Sequence, residues 1–161
     1  MTKSIEDKLR EEIRHAFDDL APPPADQLLQ AVYAGNDDAV EMKMAFAGKP
    51  WPDLPISVLS HHRESVIALS GVGYRAYLPA YLTACLANDP TYGADVRGYT
   101  LYGLRPLSTG DVHVATAQER VSRLNAQQRA VVADVLRYLV DTWRMQEAAD
   151  VLASWAPPGS A

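Results

Sequence analysis

Gly71-Val72-Gly73-Tyr74-Arg75-Ala76-Tyr77-Leu78-Pro79-Ala80-Tyr81-Leu82-Thr83-Ala84-Cys85-Leu86 carries a helical apolar rhythm with a proline set inside it. Tyr74, Tyr77, Leu78, Tyr81, Leu82, Cys85 and Leu86 recur at spacings of three and four, which puts three tyrosine rings and three leucines on one stripe of an α-helix. Pro79 lacks a backbone N–H and its ring meets the carbonyl of Arg75, at a cost of about 3 kcal/mol in a helix interior, so a kink is expected there. A kink frees carbonyls near Arg75 and Ala76, and a tyrosine hydroxyl or water would serve as their donor. Two readings follow: a core helix bent around its neighbours, or a pocket at the kink.

Working outward, Ser4 is placed to cap a first helix whose stripe is Ile5, Leu9, Ile13, Phe17 and Leu20, ended by Pro22-Pro23-Pro24. That triplet favours a stiff polyproline connector rather than a domain boundary. Residues 25–33 read as a short helix closed by Gly35. Asn36 then caps another, with Asp37, Asp38 and Glu41 at its positive end and Val40, Met44 and Phe46 along it. Trp51, between Pro50 and Pro52, is held in an extended segment and is expected to plug a gap between helices. Residues 53–65 read as a short helix. The stretch 87–114 is punctuated by Pro90, Gly93, Gly98, Gly103, Pro106 and Gly110, so it reads as loop-rich, and Tyr99-Thr100-Leu101-Tyr102-Gly103-Leu104 admits a short strand in a minor hairpin. Asn125 caps a long closing helix with Val131, Val132, Val135, Leu136, Leu139, Val140 and Trp143 on its apolar face, continuing towards Trp155.

The expectation is therefore an all-α fold: a compact single-domain multi-helix bundle over residues 1–156, with a kinked central helix, a long C-terminal helix and a frayed tail at 157–161. At 161 residues the chain is long enough to bury a core. Fifteen Lys and Arg against 20 Asp and Glu, a formal charge of −5, and no basic run make nucleic acid an unsuitable partner. Cys85, the single cysteine, has no partner for a disulfide and sits on the apolar stripe, which suits a reducing cytoplasm and an inert thiol. The N-terminus shows no export signal and no window is apolar enough to span a bilayer, so no membrane association is expected.

Gly48-Lys49-Pro50-Trp51, the segment around Val58 and Leu59, Gly73 to Leu82, and Leu124-Asn125-Ala126-Gln127-Gln128-Arg129-Ala130-Val131 together resemble a bacterial domain-of-unknown-function family. The shared elements are a Gly-Lys-x-Trp motif, a Tyr-Arg-x-Tyr-Leu-Pro-Ala-Tyr-Leu helix and a closing Leu-x-x-x-Gln helix, spanning about residues 36–140; the Asp37-Asp38 pair resembles one in the same family. The resemblance implies no activity, cofactor or catalytic residue.

The chemistry-bearing residues point the same way. Adjacent His61 and His62 project about 100° apart on a helix and read as a solvated pair rather than a metal site. Asp37, Asp38 and Glu41 serve the helix N-terminus better than they would serve a metal shared with a histidine. Phosphate-cradling, zinc-protease and serine-hydrolase motifs are missing, so no catalytic residue, metal or cofactor is assigned. The least ordinary constellation is Lys49 and Trp51 with Tyr74, Arg75, Tyr77 and Tyr81: either packed aromatics with two solvated cations, or a cleft with a cationic rim suited to an anion or an acidic peptide. The expected function is a cytoplasmic, non-enzymatic protein-interaction module of accessory or immunity type, its acidic surface matched to a basic partner. The alternative is a small-ligand-binding protein or enzyme using that cleft.

Overall fold

The computed structural model describes residues 2–105 and 119–155. Within them the fold is all-α, with no strand, and the backbone bridge between Leu29 and Leu69 stands alone. Seven α-helices lie wholly within the described residues, α1 (Ile5–Ala16), α2 (Asp37–Phe46), α3 (Ile56–His61), α4 (Gly71–Cys85), α5 (Gly93–Leu104), α6 (Ala126–Trp143) and α7 (Gln146–Trp155), with short 3-10 turns between the earlier ones, and residues 119–122 are helical too. No described helix is long and apolar enough to cross a membrane.

Helix α4 is the centre. It is buried on nearly every side, as a helix in the middle of a core must be, and continues through Pro79 to Cys85. Helix α1 lies antiparallel to α6: Glu6, near its start, accepts from the Tyr138 hydroxyl at 3.0 Å, while the Ala16 carbonyl at its end accepts from Gln128 at 3.1 Å. The Ser4 hydroxyl caps α1 by accepting from the Asp7 N–H, and Leu9, Ile13, Ala16 and Phe17 are buried; Ile5, expected on that stripe, is exposed. Asn36 caps α2 as expected, but the buried stripe is Ala39, Met42 and Phe46, and Met44 is 75% exposed.

Four further expectations are corrected. Residues 25–33 form two 3-10 turns (Ala25–Gln27 and Ala31–Tyr33) instead of one helix, because the backbone between them bonds across to the start of α4: Ser70 N–H donates to the Leu28 carbonyl and Gln30 N–H to that of Ala68, both at 2.9 Å. Residues 53–65 divide between a 3-10 turn over Trp51–Asp53, α3 and a 3-10 turn over Arg63–Ala68.

The strand over residues 99–104 is instead the second half of α5; the remainder of the expected hairpin, 106–114, lies outside the described residues. Its glycines do not mark turns. The Tyr74 hydroxyl donates to the Gly103 carbonyl at 3.1 Å, and a Cβ on Gly98 would meet nothing within 4 Å. Gly98→Ala is therefore expected to raise stability by about 0.5–1 kcal/mol in chemical denaturation, through helix propensity alone.

The closing helix does not run unbroken to Trp155. Asn125 and Gln128 form a capping box at the start of α6, and α6 stops where Arg144 adopts φ 54°, ψ 35°, letting the N–H groups of Arg144 and Met145 bond back to Val140 and Leu139. Helix α7 then folds against α5, where the Trp155 indole N–H donates to the Leu104 carbonyl at 2.9 Å and Arg105 pairs with Glu147 at 2.9 Å.

Candidate functional site

The six residues expected to share a cleft are divided by the fold. Tyr74, Tyr77 and Tyr81 are no more than 1% exposed. The Tyr77 hydroxyl lies near the carbonyls of Phe46 (2.7 Å) and Lys49 (2.9 Å), tying α4 to the end of α2, and its ring packs on Phe46 at 5.0 Å between centroids. Neither this hydroxyl nor that of Tyr74 serves the carbonyls near Pro79. Burial pushes the Tyr74 phenol up to about 12, and drives Tyr81 upward too, so both stay protonated. Trp51 acts as the expected plug: 8% exposed, its indole N–H donates to the Phe17 carbonyl at 3.4 Å. Lys49 is exposed, while Arg75 is half-buried and donates through Nε to Gln128 at 3.2 Å.

Arg75 and Trp51 open onto two different hollows. The first, about 660 Å3, is a groove between the Pro22–Pro24 connector and the start of α4, where Val72, Ala76 and Arg75 face Glu119 and Arg123. Glu119 and Arg123 are paired at 2.8 Å, and the Glu119 carboxylate lies against Gly71, at the positive end of α4. The second, about 200 Å3, is a slot beside Trp51, closed by α3 and the C-terminal half of α4. Lys49 lines neither. A third recess of about 470 Å3 lies between α1 and the end of α6, around Glu6, Tyr138 and Trp143. Backbone N–H bonding and then the Tyr138 hydroxyl hold Glu6 below the usual carboxylate range.

Several groups have settled structural duties. Cys85 is buried, and burial raises its thiol to about 12, which keeps it a protonated, unreactive core group. His61 and His62 meet edge-to-face at 4.7 Å, and His62 also packs on Phe46; burial first, then His61, lowers its affinity for a proton. Among the described residues no three His, Cys, Asp or Glu side chains are grouped to hold a metal ion.

Sequence reasoning missed the buried cations and a buried amide. Arg97 is 7% exposed, with its guanidinium 4.0 Å from the Trp143 ring centroid, and Arg120 lies 4.9 Å from that of Tyr74. Gln128, fully buried, completes the α6 capping box while bonding Arg75 and the Ala16 carbonyl. The Asn125-x-x-Gln128 spacing is a capping-box signal that was there to find.

The sequence matches the model of a family of unknown function (DUF6714) over residues 5–157, nearly its whole length, and the chain belongs to that family. No curated protein and no solved structure matches it.

Proposed function

We propose that this member of the DUF6714 family is a non-enzymatic protein-interaction module that receives a basic partner on its acidic N-terminal part. The observation that carries this reading is charge segregation: residues 1–60 hold 11 of the 20 acidic residues against six of the 15 Lys and Arg, and residues 61–161 hold nine of each. The whole formal charge of −5 thus belongs to the first 60 residues. Glu12, Asp18, Asp19, Asp37, Asp38 and Glu41 are exposed there, and among the described residues none of them forms an ion pair. Such a field steers a cationic surface and repels nucleic acid. The Arg75 groove, walled by Leu20, Pro22 and Val72, supplies apolar area for a partner segment. The reading places the module in the cytoplasm, where a lone buried thiol stays reduced. A small-molecule role is the second reading, favoured by the slot at Trp51 and not by Tyr74, Tyr77 and Tyr81, which are interior.

The test is co-purification with mass spectrometry of proteins and small molecules, followed by titration of the recovered partner. A basic partner is expected, whose affinity falls about tenfold or more between low and high salt and also falls on Glu12→Lys/Asp18→Lys/Asp19→Lys/Glu41→Lys. A retained metabolite with no protein, or a partner indifferent to both salt and charge reversal, overturns the reading.

A further inference from the structure

We infer that the slot beside Trp51 binds a short alkyl carboxylate, its chain between Trp51 and α4 and its carboxylate on Arg10. Trp51, Leu54, Ile56 and Leu59 form an apolar wall, facing a row of small side chains on α4 that leaves the slot open, Ala80 and Ala84 among them. The one hydroxyl on the lining, that of Thr83, is engaged: it donates to the Pro79 carbonyl at 2.8 Å. Arg10 is the one charged residue on the lining.

The Arg10 guanidinium has five N–H donors. Its hydrogen bonds among the described residues go to Asp7 Oδ1 and the Leu86 carbonyl, both at 3.5 Å, the outer limit of a hydrogen bond; its side chain is 36% exposed, and it also borders the recess that holds Glu6, a second carboxylate within its field. An apolar wall ending in a weakly engaged guanidinium is complementary to an anion with an apolar tail: the chain leaves water and the carboxylate takes up idle donors. An alcohol would offer those donors less, and an amine would meet a like charge. A volume of about 200 Å3 matches about seven waters at ~30 Å3 each, room for roughly six to eight carbon atoms. Asp7 competes for Arg10, which keeps the affinity modest.

The full chain titrated with sodium octanoate at pH 7, followed by calorimetry, tests this. A Kd of about 0.1–1 mM is expected, weakening about fourfold for each methylene removed. Octan-1-ol and octylamine should bind about tenfold or more weakly than octanoate. Arg10→Gln should weaken octanoate binding about tenfold with the melting temperature kept. Ala87→Leu, just past the end of α4, should fill the slot and abolish binding, while Lys8→Gln, exposed on α1, leaves it intact. No heat of binding with octanoate at several times the expected Kd, octanol binding as tightly as octanoate, or unchanged binding by Arg10→Gln overturns the assignment.

Discussion

Tyr77→Ala is expected to lower the unfolding free energy by about 3–5 kcal/mol, the range for removing a large aromatic side chain from a packed core. Tyr77 has no exposed surface, packs on Phe46, and its hydroxyl reaches the carbonyls of Phe46 and Lys49, so truncation empties a ring-sized space and uncouples α4 from the end of α2. Tyr77→Phe keeps the ring and removes only the hydroxyl, for an expected loss of about 1–2 kcal/mol. Urea titration of both variants separates core from cleft. A Tyr77→Ala protein within about 1 kcal/mol of the parent would show that the ring does not support the core, and the cleft reading would return.

Gly73→Ala is expected to be the most damaging Gly→Ala change in the described helices, at about 2–3 kcal/mol. A Cβ at Gly73 would overlap the Leu28 carbonyl oxygen, with the carbon of that carbonyl at 3.2 Å and its Cα at 3.3 Å. The obstacle is backbone, and it is pinned: the same carbonyl accepts the Ser70 N–H that anchors the 25–33 segment to α4. Gly71→Ala, two residues away, is the control. Its Cβ would meet Glu119 Oε1 at 2.6 Å and Arg123 Nε at 2.8 Å, the ends of two half-exposed side chains that can rotate aside, so a change within about 0.5 kcal/mol is expected. Equal losses for the two variants in thermal or urea unfolding would contradict the contact that distinguishes them.

Much of the helical architecture was legible locally. Ser4, Asn36 and Asn125 are helix caps because a short oxygen-bearing side chain can satisfy an orphan N–H three residues on, a relation that needs no partner from elsewhere in the chain. The tyrosine stripe of α4 read correctly as a helix for a similar reason. The candidate site was less legible. Periodicity identifies which residues share a helix face, but whether that face meets water depends on what packs against it: Phe46, the Gly103 backbone and the Lys49 carbonyl come from elements 28 or more residues away from the tyrosines they cover. The same blindness made Gly93, Gly98 and Gly103 look like turns, although all three lie inside α5 and only at Gly93 would a Cβ meet a tight neighbour, Arg97 Nη1 at 3.0 Å.

Local sequence chemistry by itself determined that this protein is all-α, where α1, α2 and α6 begin, and that its net negative charge belongs to the first 60 residues; these follow from backbone satisfaction, side-chain period and ionisation. Only the tertiary structure decided that α4 is enclosed, that Arg75 and Trp51 open onto separate hollows, that α6 and α7 part at Arg144, and that Arg97 and Arg120 are buried against aromatic rings. Each of those outcomes depends on which distant groups exclude water from a given side chain, and burial is a property of the packed assembly of helices rather than of any one of them.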